Sequence, residues 1–327
     1  MTPSDDAARW RDIARTLLGE ATLTSAEVAA RAGYPLDGTR RMWRAIGLPP
    51  IPDDERAFAE SDVEIMRSVQ LLLSRPGTDV ETAVQVARVI GRAMAQVADA
   101  IVGVAAESGR ELADTAEPPP ALAAVVAGLA PAIEPFLLHV WRHHLLAGLL
   151  RAMAGSDAAT DPVQAVGFVD LVGFTALAQR LETTMLTAVL DRFEALAYER
   201  IVERGGRVIK MVGDEVMFVV GIPAAAAEMA LALLEACAAD PRVPEARAGI
   251  AVGPTRAWEG DLFGPTVNLA SRLVGVARPG TVLASEELGA ALDADAFVLR
   301  HLRSQPLHGL GRVRSWVVRR SVAGRRP

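Results

Sequence analysis

The chain has 327 residues, enough for two domains with separate cores; 51% are hydrophobic and only 5% aromatic. A formal charge of −6 and a pI near 5.5 argue against a protein that coats nucleic acid. The single cysteine, Cys237, excludes an internal disulfide and suits a reducing compartment, where it reads as a small core residue.

The N-terminus is polar and acidic (Asp5, Asp6), so no secretory signal is expected. The most apolar stretch, 121–138, is broken by Pro131, Glu134 and Pro135 and falls short of an unbroken span of ~20 residues. No transmembrane segment is expected, and the protein reads as soluble and cytoplasmic. Peripheral contact of 121–138 with lipid stays open.

Residues 1–157 read as all-helical. Thr24-Ser25-Ala26-Glu27 supplies a cap and an early acid for a short helix ending at Gly33. Further helices are predicted at 38–46, 60–74, 78–107 and 119–154, the last strained by Pro131 and Pro135. Val80, Val84, Ala87, Ile90 or Gly91, Met94 and Val97 recur at helical spacing and predict one buried stripe.

The segment 24–73 looks like the winged helix-turn-helix of mercury-resistance-type regulators, with Arg40, Arg41 and Arg44 as a local basic cluster. Yet residues 1–150 hold 14 arginines, no lysine and 20 acids, a balance of 14 − 20 = −6. Phosphate neutralisation dominates DNA affinity, so nucleic acid is a poor partner and a reused helix-turn-helix core in a regulatory domain fits better. His139, His143 and His144 lie near the end of the last helix. The first two share a face, but no third metal ligand is evident. They read either as a plain polar face or as a pH-sensitive joint.

The small, polar stretch 154–162 marks the domain boundary, placed at 157/158. Beyond it strands and helices alternate: a strand at 164–170, a turn through Gly173 into a helix, and a helix at 183–203. A hairpin of 207–212 and 215–220 follows, then a helix at 223–238, a strand at 247–252 and a loop running into a helix over 264–276. Strands at 281–284, 297–303 and 315–319 complete the pattern, the last closing the sheet. This order suggests an α+β sandwich of βαβ type.

The hairpin draws attention because Lys210 is the only lysine in the chain and stands four residues before Asp214 in the Gly213-Asp214 turn. If the strand ending at Asp170 lies beside this hairpin, both carboxylates point into one crevice, suited to divalent cations that grip nucleotide phosphates. Gly173-Phe174-Thr175 opens a helix whose free backbone N–H groups can cradle phosphate. Asn268 and Arg272 share a helix face; an amide can orient a sugar or base, and a guanidinium can stabilise charge on a transferring phosphorus.

Phe168–Thr175, Lys210–Glu215 and Asp261–Arg272 together resemble the class III adenylyl cyclases, over about residues 160–320. The resemblance implies a ferredoxin-like catalytic domain, 158–327, behind the helical regulatory domain. It also implies conversion of ATP to cyclic AMP. In this reading Asp170, Asp214 and the Leu171 carbonyl hold two Mg²⁺ or Mn²⁺ ions, and Lys210 and Asp261 read adenine. Asn268 orients the ribose, and Arg272 stabilises the pentavalent phosphorus. The family acts as head-to-tail dimers, so a homodimer with two complete sites is implied. Residues 1–157 also resemble the regulatory domain of some actinobacterial cyclases, with pH or an apolar ligand as candidate signals.

One position departs from the family: His308 stands where many members have a triphosphate-binding lysine, which predicts weaker ATP binding at high pH unless Arg312 or Arg314 serves instead. Two alternatives remain. One is a DNA-binding regulator with a degenerate nucleotide-sensing domain. The other is a diguanylate cyclase, suggested by Gly213-Asp214-Glu215 but lacking that family's doubled glycine.

Overall fold

The computed structural model describes residues 14–113, 122–154 and 161–321. The chain divides into two compact units after residue 154, and the boundary expected at 157/158 falls in the stretch 155–160, which lies outside the described residues.

The first unit contains α1 (Ser25–Ala32), α2 (Leu36–Ala45), α3 (Glu60–Leu73), α4 (Val80–Ala113) and α5 (Leu122–Ala154). The start of α1 is a reciprocal cap: the Thr24 hydroxyl accepts from the Glu27 N–H at 3.2 Å, and the Glu27 carboxylate accepts from the Thr24 N–H at 2.8 Å. Gly33, at φ 69°, ends it. Val28, Met42, Trp43, Phe58, Val63, Met66 and Val84 form the core of this unit.

The predicted stripe on α4 holds only in part. Val84 and Ala87 are buried, whereas Val80, Ile90 and Met94 are exposed. Gly91 explains the change, because a Cβ there would lie 2.5 Å from the Ile46 carbonyl oxygen. The helix thus meets its neighbour through a glycine rather than through Ile90. Pro131 and Pro135 do not interrupt α5. Its exposed side chains include Phe136, Trp141, Leu145, Leu146, Leu149 and Leu150. Among the described residues one helical stretch, Val80–Glu107, is long and apolar enough by length and composition to cross a membrane.

The second unit contains β1 (Val163–Leu171), α6 (Phe174–Ala178), α7 (Thr183–Val202), β2 (Arg207–Val212), β3 (Glu215–Val220), α8 (Pro223–Ala239) and β4 (Ala246–Pro254). Then come β5 (Arg256–Trp258), β6 (Asp261–Phe263), α9 (Pro265–Val276), β7 (Val282–Ala284), α10 (Glu286–Ala291), β8 (Phe297–Leu307) and β9 (Gly311–Arg320). Strands run β2-β3-β1-β4-β7-β9-β8 across one sheet. The first four, with α7 and α8 between them, are the ferredoxin-like βαββαβ arrangement. The sequence reading has the last strand closing the sheet; instead β9 lies inside it, and β8 is the edge.

Both faces of β1 are covered, so it reads as a continuous apolar run. On one face Val169, Leu171 and Phe218 pack with Phe193, Leu196, Met229 and Leu233 of α7 and α8. Each such buried side chain contributes roughly 1.5–3 kcal/mol. On the other face Val166, Phe168, Met217 and Ala251 pack with Ala270 and Val274 of α9. Glycines set the spacing: a Cβ on Gly167 would meet the Phe218 ring at 2.2 Å, and one on Gly249 would meet the Val274 nitrogen at 2.2 Å. The β5–β6 ribbon and α10 have no counterpart in the sequence-based expectation.

Candidate active site

Asp170 is the penultimate residue of β1 and shares the parity of Val166 and Phe168, which turns it to the face covered by α9. It stands between Glu215 on β3 and Arg247 on β4. Nε and Nη2 of Arg247 both donate to Asp170 Oδ2, at 2.8 and 2.6 Å, while Nη1 donates to the Gly275 carbonyl at 3.3 Å.

Asp214 occupies the β2–β3 turn, where Gly213 at φ 60° takes the left-handed conformation. The turn is tied to the end of β1, since the Leu171 N–H donates to the Asp214 carbonyl at 3.1 Å. Burial raises the Asp214 carboxyl above its usual range, its own backbone N–H opposes, and the nearby Asp170 adds to the rise. Glu215 is pushed up to about 7 by burial and then by the charges of Asp170 and Asp214.

Three carboxyl groups therefore crowd one arginine, and the crevice carries uncompensated negative charge. Hard oxygen donors with such a charge suit Mg²⁺ or Mn²⁺. Among the described residues, no group of three or more His, Cys, Asp or Glu side chains is arranged to hold an ion. Asp170, Asp214 and the Leu171 carbonyl fit such a cation when phosphate or water oxygens complete the set, which is how small dications commonly bind nucleotides.

Lys210 on β2 and Asp261 on β6 form an ion pair through Nζ and Oδ2. A register shift between Val208 and Lys210 re-aims this part of the strand. The other oxygen of Asp261 accepts from the Leu262 N–H at 2.8 Å, which fixes the carboxylate. The β5–β6 ribbon, which sequence reasoning missed, is what carries Asp261 to this position.

Asn268 and Arg272 lie on α9. Thr266, Ala270, Leu273 and Val274 of that helix are buried, whereas Asn268 and Arg272 are exposed, so the helical repeat turns this pair away from their own sheet. Arg272 Nε donates to the His308 carbonyl at 3.3 Å. His308 therefore meets the arginine through its main chain, and its side chain is exposed in the β8–β9 turn. Arg312 donates to the Ser304 carbonyl and Arg314 lies 3.8 Å from Glu286, so both candidate substitutes are already engaged.

The Phe174 ring is in the core, so any role of this residue toward phosphate falls to its backbone N–H, as the sequence reading has it. Gly173, at φ 74°, precedes α6, no side chain caps that helix, and Thr175 is exposed. In the first unit Arg40 pairs with Asp53 at 2.6 Å and Asp37 at 3.2 Å, and Arg41 pairs with Glu81 at 2.5 Å. The basic cluster that favoured DNA is thus largely neutralised by its own chain. His139 and His143 have ring centroids 4.5 Å apart.

Sequence reasoning did not assign Arg247 or Glu215. The signal was cross-strand register, which a single strand pattern does not contain.

Residues 158–320 match the adenylate and guanylate cyclase catalytic domain, and residues 12–149 match the adenylate cyclase regulatory domain. An adenylate cyclase of Streptomyces coelicolor is 34% identical across 98% of this chain and 92% of its own length. One from Glutamicibacter nicotianae is 33% identical across 92% of this chain and 80% of its own. A protein of Mycobacterium tuberculosis named as a pH-sensitive adenylate cyclase is 34% identical across 94% and 81%. The chain belongs to the class III nucleotidyl cyclases, among the adenylate cyclases that carry this regulatory domain ahead of the catalytic one.

Proposed function

We propose that the chain converts ATP to 3′,5′-cyclic AMP and pyrophosphate at sites shared between two head-to-tail copies. The ribose 3′-oxygen bonds to the α-phosphorus in line, the bond to the pyrophosphate oxygen breaks, and the hydroxyl proton passes to the medium. Two divalent cations, Mg²⁺ or Mn²⁺, held by Asp170, Asp214 and the Leu171 carbonyl, supply phosphate charge neutralisation and a more acidic 3′-hydroxyl when bound.

Lys210 donates to adenine N1 and Asp261 accepts from the N6 amino group. Guanine presents the opposite order, an N–H at position 1 and an oxygen at position 6, so the pair favours ATP over GTP. Asn268 orients the ribose, and Arg272 meets the charge that builds on the phosphorus. Backbone N–H groups at Phe174 and Thr175 receive phosphate oxygens, and His308 lies at the triphosphate end.

The observation that carries the shared site is the outward direction of Asn268 and Arg272 on α9, away from the sheet that bears Asp170. Such a pair serves a nucleotide held by the acids only when a second copy presents it. The names of the full-length relatives support ATP as substrate. A free, buried Cys237 fits a cytoplasmic enzyme.

The helical unit controls this activity, with the histidines of α5 as a pH-sensitive element and an apolar ligand as the other candidate signal. Incubating the full-length protein with Mn²⁺ and either ATP or GTP tests the reading. Cyclic AMP should form from ATP and disappear in Asp214→Ala. Product from GTP alone, or unchanged activity in Asp214→Ala, would contradict it.

A further inference from the structure

The β5–β6 ribbon that carries Asp261 is closed by a two-residue turn, Glu259-Gly260, with φ of 48° and 84°. Positive φ at both central positions defines the I′ turn, whose twist matches that of paired strands. Glycine takes this conformation freely, but among the described residues Glu259 is the one non-glycine residue with positive φ. A residue held in a sparsely populated conformation reflects a constraint set by its surroundings. Here the turn sets the register, and that register puts Trp258 directly opposite Asp261.

Residues directly opposite in a ladder share a face, with Cβ atoms about 4.5–5.5 Å apart. The face that holds Asp261 therefore holds Trp258, with Arg256 and Phe263 one pair further from the turn. Arg256 is turned to Asp161, at 3.3 Å, and the buried Leu262 lies on the other face of the ribbon. Trp258 is 50% exposed, and among the described residues no other aromatic ring packs on it. A large apolar ring thus stands open beside the carboxylate that pairs with Lys210.

The Lys210–Asp261 pair is itself partly open to solvent. Hydrogen bonds from such a pair to a base gain little while water competes for the same donor and acceptor. They strengthen where a flat apolar surface excludes that water once the base is in place. An indole at ladder distance from the carboxylate is such a surface, and every purine offers a face to it.

We propose that Trp258 stacks on the adenine whose edge Lys210 and Asp261 read, and shields that pair from water. The inference rests on the catalytic reading and extends it to a residue outside the family-like stretch Asp261–Arg272.

The test is calorimetric titration of the full-length protein, with Mn²⁺ present, using the uncleavable α,β-methylene analogue of ATP and, as a ligand without a base, tripolyphosphate. Trp258→Leu should weaken the analogue about tenfold while leaving tripolyphosphate within about twofold, and Trp258→Phe should restore most of the loss. In turnover the same loss should raise KM for ATP with little change in kcat. Sedimentation should show the same molecular mass for parent and variant. Equal analogue affinity in Trp258→Leu would overturn the proposal, as would equal losses for both ligands, or a fall in mass that assigns Trp258 to the contact between copies. Each of these, in a parent that makes cyclic AMP from ATP, sinks this inference alone; a parent that makes none overturns the catalytic reading and this inference with it.

Discussion

Arg247 faces Asp170 directly across the β1–β4 ladder and places two of its nitrogens on the same carboxylate oxygen, at 2.8 and 2.6 Å. The contact fixes the direction of an acid that the proposed chemistry assigns to a cation, and leaves its other oxygen outside the pair. Groups that orient a metal ligand commonly change affinity or activity by roughly 10–100-fold when removed. Arg247→Gln should therefore raise the half-saturating Mn²⁺ concentration and lower kcat/KM by about that factor while the fold survives. A titration of activity against Mn²⁺ checks this; a superimposable curve would assign Arg247 to packing alone.

The Lys210–Asp261 ion pair spans β2 and β6 and is partly open to solvent, with side-chain exposures of 40% and 27%. Such a pair adds little to stability. Its value lies in presenting a donor and an acceptor side by side. Lys210→Gln and Asp261→Asn should each leave Tm nearly unchanged while lowering the ATP-over-GTP preference by about tenfold or more. Initial rates with both nucleotides measure it, and an unchanged ratio would remove the pair from base recognition.

Asp240 closes α8 and is gripped by Arg242, whose Nε and Nη2 donate at 2.9 and 2.7 Å, and by Arg192 at 2.6 Å. The Arg242 hydrogen bond, then that from Arg192, holds its carboxyl well below the usual carboxylate range. A depressed carboxylate contributes stability above its unfolded pKa and loses it as pH falls through the folded value. Asp240→Asn should therefore lower Tm at pH 7, and the gap from the parent should close as the solution is acidified below the ordinary carboxylate range. Thermal melts from pH 7 to pH 2 show whether it closes; a gap constant across that range would mean that charge plays no part.

His139 and His143 lie one turn apart on α5, their rings tilted by 59° with centroids separated by 4.5 Å. Histidine is the side chain type that ordinarily changes charge between about pH 5 and 8, which makes this helix face the proposed pH-sensitive element. Replacing His139, His143 and His144 with Gln should flatten the activity–pH profile between pH 5.5 and 8. The same profile in the triple variant would exclude these histidines as the switch.

Local chemistry made much of the second unit legible. The β2–β3 hairpin was readable because β-branched strands flank a Gly213-Asp214 turn, and α9 because Pro265 follows Gly264 at its start. Order within the sheet was not. Nothing local in 311–320 says that β9 inserts between β7 and β8, because strand order follows from distant partners. Each strand of the β5–β6 ribbon has three residues, too few for a period to register. On α4 the helical period was correct over Val84 and Ala87, and of the two alternatives at the next step, Ile90 and Gly91, it is the glycine that makes the contact. Asp170, Asp214 and Lys210 stood out by residue type and spacing, and Asp261 through the family resemblance alone. Arg247 did not, since its meaning lies in the register between two strands, and its partner Asp170 is 77 positions away in sequence.

The central claim is that acids of one copy work with the amide and guanidinium of its twin, and mixing two inactive variants tests it most directly. Asp214→Ala and Arg272→Ala proteins should each be nearly inactive. Co-refolded or co-expressed in equal amounts, they should regain about a quarter of the parent activity, because half the dimers are mixed and each mixed dimer keeps one of two sites. A mixture as inactive as its components would contradict the account, and so would full activity in either variant alone.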